Sequence, residues 1–121
     1  MFLKSTAETK EHAPSYYAAS ANWQTDYPQL EGDLNVDVVI VGAGFSGVAT
    51  AVELCERGYK VALVESNRIG WGATGRNGGQ IIGGYGRDPA AFSSSIGSEG
   101  VSIVESMGSE CVEIIKERIE K

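Results

Sequence analysis

VVIVGAGFSGVATAVELCERGYKVALVE, residues Val38 to Glu65, decides the fold. The β-branched run from Val36 to Val41 predicts a strand, and its lack of polar alternation predicts burial on both faces. Phe45 to Arg57 predicts a helix with Val48, Ala51, Val52 and Cys55 along its packed side. Gly58 is the residue expected just past a helix C-terminus. Lys60 to Glu65 predicts a second strand. Strand, helix and strand within this length form a βαβ unit with parallel strands and a right-handed crossover.

Three glycines sit at the first turn of that unit, Gly42, Gly44 and Gly47, spaced G-x-G-x-x-G. Gly42 permits the tight exit from the strand, Gly44 lets a pyrophosphate approach the backbone, and Gly47 lets the helix lie close to the sheet. The helix start offers unsatisfied N–H groups and the positive end of its dipole. Glu65 closes the second strand at the distance expected of the acid that accepts hydrogen bonds from an adenosine ribose. Its charge would repel a 2′-phosphate, which favours FAD or NAD over NADP. In a chain with 16 glycines a lone glycine motif is weak. Here the strand before it, the helix after it and the terminal acid agree on a dinucleotide-binding unit.

The rest of the chain is read outward from this unit. Met1 to Pro14 is polar and expected to be mobile. Ser15 to Leu34 holds Tyr16, Tyr17, Trp23 and Tyr27 without a clear period, and reads as an irregular arm docking its aromatics. Residues 1–34 thus form an N-terminal arm and residues 35–121 an incomplete binding domain. Ser66 to Gly86 is glycine-rich, and Asp88 to Ser95 is a short helical connector. From about Gly100 onward Val104, Met107, Cys111, Ile114 or Ile115, and Arg118 follow helical spacing, with Glu105, Glu110, Glu113, Lys116 and Glu117 on the wet side.

With 121 residues, a formal charge of −6 and a pI near 4.7, the chain suits neither nucleic acid nor an anionic membrane surface. No apolar run approaches the roughly 20 residues a bilayer requires. The N-terminus lacks the apolar core of a signal peptide, so a cytoplasmic protein is expected. Two cysteines and one histidine give neither a disulfide framework nor metal-ligand spacing.

A second glycine loop, RIGWGATGRNGGQ from Arg68 to Gln80, follows the acid almost directly, where an NAD-binding domain would usually proceed to another helix. Its backbone suits a second part of the ligand. With the fingerprint, this loop resembles the D-amino-acid oxidase-like superfamily of FAD-dependent amine oxidoreductases. The loop GATGRNGGQ and the arm SYYAASAN, Ser15 to Asn22, are most similar to its γ-glutamylputrescine oxidoreductase group. The implied fold class is α/β, a Rossmann-like unit forming the N-terminal fragment of a two-domain FAD/NAD(P)-binding fold.

By position, the resemblance implies that Gly42, Ala43, Gly44 and Ser46 line the pyrophosphate and that Glu65 and Ser66 meet the ribose. Arg68 would lie near the ADP portion. Ala73, Thr74, Asn77, Gly78 and Gly79 would run along the pyrophosphate, ribityl chain and flavin. Some members attach FAD to a histidine in this loop; Arg76 and Asn77 stand here instead, so non-covalent FAD is expected. The implied activity is oxidation of a small amine by hydride transfer to the flavin and reoxidation by dioxygen, with substrate selection in a C-terminal domain this chain lacks. No catalytic residue is assigned. A truncated nucleotide-binding chain without activity is the competing reading, and an NAD-linked dehydrogenase a third.

Other residues read more plainly. Cys55 and Cys111 are expected in the packing of their helices. Trp71 covers the adjacent loop, or approaches the flavin. Arg76 either pairs with phosphate or anchors the loop. His12 belongs to a solvated tail.

Overall fold

The computed structural model describes residues 11–22 and 26–121. Expectations for residues 1–10 and for Trp23 lie outside the described residues. The chain forms two units, Met1–Gly78 and Gly79–Lys121.

The first unit contains a one-turn helix α1 (Tyr16–Ala19), strand β1 (Val38–Val41), helix α2 (Phe45–Glu56) and strand β2 (Val61–Val64). The strands are parallel, with Val38 opposite Val61 and Val41 opposite Val64. Pairing extends one step beyond each strand. The Asp37 N–H donates to the Lys60 carbonyl at 2.9 Å, and the Lys60 N–H donates to Asp37 Oδ2 at 2.8 Å. Parallel β-α-β order therefore stands as the sequence predicts.

Helix α2 ends as Gly58 foretells. The Gly58 N–H donates to the Cys55 carbonyl and the Tyr59 N–H to the Leu54 carbonyl, while Gly58 takes φ +87°. These paired bonds form a Schellman motif, which satisfies carbonyls that the helix itself leaves open.

Burial corrects three expectations. Val38 and Ile40 face α2, but Val39 and Val41 are 60% and 85% exposed, so β1 is covered on one face only. Among the described residues the sheet has two strands, and β2 is half-buried along its whole length. On α2 the half-buried residues include Gly47, Val48, Ala51 and Leu54, whereas Val52 and Cys55 are exposed. The close seat of Gly47 on the strand turns the helix toward 47, 51 and 54 and away from 52 and 55. Within the arm, Tyr16, Tyr17 and Tyr27 are exposed rather than docked.

The second unit carries a 3-10 turn (Pro89–Phe92) and helix α3 (Ser93–Glu120). Asp88 caps the turn, accepting from the Ala90 N–H at 2.9 Å, with Pro89 at its first position. The helical connector is thus present, and α3 starts earlier than expected, with a break at Gly97 (φ 70°, ψ 175°). The packed stripe of α3 is Val101, Val104, Gly108 and Val112; Met107 and Cys111 are exposed. Gly108 explains the roll. A Cβ on it would come 3.0 Å from Gly84 Cα, so the glycines at 83 and 84 cross α3 where it has no side chain. The acidic side falls to solvent as expected.

Candidate functional site

The first turn of the βαβ unit is built around backbone. The Gly42 N–H donates to the Val64 carbonyl at 2.7 Å and Gly42 takes φ +100°, a conformation that side chains oppose. A Cβ on Gly47 would overlap the Gly42 carbonyl oxygen and approach Ile40 Cγ2 to 3.5 Å. Helix α2 can therefore begin this close to β1 only with glycine at 47. Ala43, between them, is 1% exposed, the one buried hydrophobic residue among those described.

Glu65 ties this turn to β2. Its Oε2 accepts from the Ala43 N–H at 2.8 Å, and its Oε1 accepts from the Asn67 N–H at 3.0 Å and from Ser66 Oγ at 3.2 Å. The Ala43 bond is the main cause that lowers the Glu65 pKa; partial burial opposes it, and the bonds from Asn67 and Ser66 reinforce it. The acid is held ionised at the mouth of the helix.

The second glycine loop closes on the same place. The Gly70 N–H donates to the Ala43 carbonyl at 2.9 Å, and Gly70 is itself buried. Ala73–Gly75 forms a 3-10 turn that carries Thr74 to α2, where Thr74 Oγ1 accepts the Phe45 N–H at 3.0 Å. Asn77 Nδ2 donates to the carbonyls of Thr74 at 2.7 Å and Ala73 at 3.2 Å, bracing the turn. The Arg76 guanidinium lies 4.4 Å from the centre of the Trp71 ring, and its Nε donates to the Trp71 carbonyl at 3.0 Å. Of the two roles left open for Arg76, loop anchoring is the one the geometry displays.

The structure thus brings Gly42, Ala43, Gly44, Gly47, Glu65 and Thr74 together, with Ser46 on the first turn of α2, Ser66 beside the acid, Ala73 in the 3-10 turn and Asn77 bracing it. Gly78 is exposed at the end of the first unit, and Gly79 opens the second. Arg68 sits between two carboxylates. It donates from Nη1 to Asp26 at 2.7 Å and from Nη2 to Glu11 at 2.9 Å. Both acids raise its pKa, the hydrogen bond it donates to Glu11 most. Asn67, Glu11 and Asp26 are the participants sequence reasoning missed. Asn67 had a signal, since it directly follows the acid and a residue already marked; Glu11 and Asp26 had none.

Helix α2 has no side-chain cap from its own N-cap residue, Gly44. Thr74 takes one N–H and Glu65 another, while the N–H groups of Gly44, Ser46 and Gly47 have no acceptor among the described residues. These donors, on glycines that leave the approach clear at the positive end of a 12-residue helix, fit a diphosphate. No group of acids, cysteines and histidines among the described residues could hold a metal ion, and no helix there is long and apolar enough to cross a membrane.

The γ-glutamylputrescine oxidoreductase of Escherichia coli (strain K12) is 43% identical over 111 residues, 92% of this chain and 26% of that protein. The probable oxidoreductase OrdL of Haemophilus influenzae is 40% identical over 112 residues, 93% of this chain and 26% of its own. One component of the anaerobic glycerol-3-phosphate dehydrogenase of Escherichia coli (strain K12) is 46% identical over only 48 residues, 40% of this chain and 9% of that one. The chain spans about a quarter of the length of the first two relatives. No solved structure gives a significant match. The model of the FAD dependent oxidoreductase family, DAO, matches residues 37–121, from the residue before β1 to the residue after α3, and the chain belongs to that family.

Proposed function

We propose that this chain is the FAD-binding part of an oxidoreductase acting on the CH–NH group of a small amine, of the γ-glutamylputrescine kind. The observation that carries the reading is the set of open N–H groups on Gly44, Ser46 and Gly47, framed by Glu65 and Thr74. In this reading Gly42, Ala43, Gly44, Ser46 and Gly47 hold the pyrophosphate, Glu65 and Ser66 receive the ribose, and Arg68 borders the ADP portion. Ala73, Thr74, Asn77, Gly78 and Gly79 follow the ligand toward its flavin. When bound, FAD supplies the two-electron acceptor for oxidation of the carbon that bears nitrogen. The chain's own residues bind and orient; none of them is assigned a proton transfer. No histidine stands in the second loop, which supports non-covalent binding. The amine class is supported by likeness over 92% of the chain to an oxidoreductase of γ-glutamylputrescine, against 40% for the glycerol-3-phosphate relative.

The division into an arm (residues 1–34) and a binding domain (35–121), a substrate domain beyond this chain, reoxidation by dioxygen and a cytoplasmic location belong to the same proposal. A second reading has its own observation. The open face of β1 at Val39 and Val41 favours a 121-residue chain that binds a nucleotide at most and catalyses nothing alone.

Native mass spectrometry of the protein from its source, followed by reduction of its flavin under anaerobic γ-glutamylputrescine, separates the two. A chain several times longer, releasing intact FAD on denaturation and bleached by the amine, is the expected result. A flavin-free 121-residue product would establish the second reading. A flavin reduced by NADH but by no amine would overturn the substrate class.

A further inference from the structure

The stretch before β1 reaches the second glycine loop through charge. Arg68 has 29% of its side chain exposed and is gripped by Glu11 and Asp26, whose side chains are 74% and 84% exposed. The Trp71 Nε1–H donates to the Glu11 main-chain carbonyl at 2.8 Å, so one arm residue holds the loop at two points. From Arg68 the connection runs inward through Gly70 to the Ala43 carbonyl, and through the Trp71–Arg76 stack to the turn that sets Thr74 against the Phe45 N–H. Both terminal nitrogens of Arg68 are occupied by carboxylates. A guanidinium so matched is not a free cation waiting for phosphate, and its planar fork is what lets one side chain span two acids.

We propose that Glu11 and Asp26 are positioning residues for the cofactor site: through Arg68 they hold the second glycine loop so that Thr74 and Gly70 stay against the fingerprint turn. This rests on the FAD reading above. It differs from that reading in what Arg68 does, since its partners are the arm's acids and its effect on the ligand is indirect.

The two roles of Arg68 predict opposite signs. In the full-length protein, the variant carrying both Glu11→Gln and Asp26→Asn keeps shape and removes charge at exposed positions. If the arm positions the loop, FAD affinity of the apoprotein falls, by roughly three- to tenfold for two exposed ion pairs. In a Thr74→Val background the same pair of changes then has little further effect, because the loop's contact with α2 is already gone. If Arg68 serves the phosphates directly, releasing it from two acids leaves affinity unchanged or raises it, and the proposal is overturned. A loss of equal size with and without Thr74 overturns it too, since the acids would then act by another route. Gly44→Val is the control. If that variant retains FAD as well as its parent, the FAD reading fails; if it loses FAD while the double amide variant does not, only the positioning role fails. Equal melting temperatures of the parent and amide apoproteins establish that the loss is not general unfolding.

Discussion

At position 47 the space for a side chain is already filled by the carbonyl of Gly42. Gly47→Ala must push α2 from the strand, and overpacking of this kind costs about 1–3 kcal/mol. Urea unfolding of the full-length variant should register that loss, and a midpoint unchanged from the parent would contradict the close approach. Gly44→Ala is a useful contrast, because its Cβ would meet only the Thr74 hydroxyl, at 3.1 Å. Glu65 gives a prediction in pH. Its pKa is lowered from 4.5 in the folded state, so its contribution to stability is complete well above pH 4.5 and fades as pH falls below that value through the folded one. Glu65→Gln should flatten this acid limb, since an amide does not titrate, and should cost stability at neutral pH, because its NH2 replaces one of the two accepting oxygens and faces a backbone donor. Parallel melting-temperature profiles for parent and variant from pH 6 to 3 would count against it.

Among the elements, the end of α2 is the most local. At φ +87°, Gly58→Ala should cost roughly 1–2 kcal/mol, the penalty of a left-handed side chain, and Gly58→Asn less. Equal stability of all three proteins in urea would remove the Schellman motif from the account. That motif and the βαβ order were legible because they depend on neighbours in sequence: β-branched runs, a helical period and a glycine in its place. The rotation of α2 was not legible. Val52 and Cys55 fit the helical stripe as well as Leu54 does, and only contact between Gly47 and the strand chooses between them. Helix α3 repeats the lesson, since Gly108, invisible to a hydrophobic period, lies in its packed stripe. The hold of Glu11 and Asp26 on Arg68 spans 57 and 42 positions and leaves no periodic trace. The glycines and the acid of the candidate site were readable for the opposite reason, as their spacing is itself the motif.

For the whole molecule, the open face of β1 sets the behaviour. Val39 and Val41 expose apolar surface beside unpaired strand edges, a combination that invites association. In the isolated 121-residue chain, the variant carrying both Val39→Thr and Val41→Thr should bind less of a hydrophobic dye and stay monomeric to higher concentration by light scattering. On the proposed reading, in which further strands of a longer protein cover that face, the same change should lower the stability of that protein. A full-length protein indifferent to both threonines would mean that nothing covers it. Thr74 carries a last consequence. Its oxygen receives the Phe45 N–H, but a hydroxyl also has a proton of its own to give. One atom can therefore cap the start of α2 and offer a hydrogen bond outward in the same geometry. Serine could inherit both duties, valine neither, and alanine would leave the helix end bare, so the alphabet allowed at position 74 is narrow for reasons of valence rather than size.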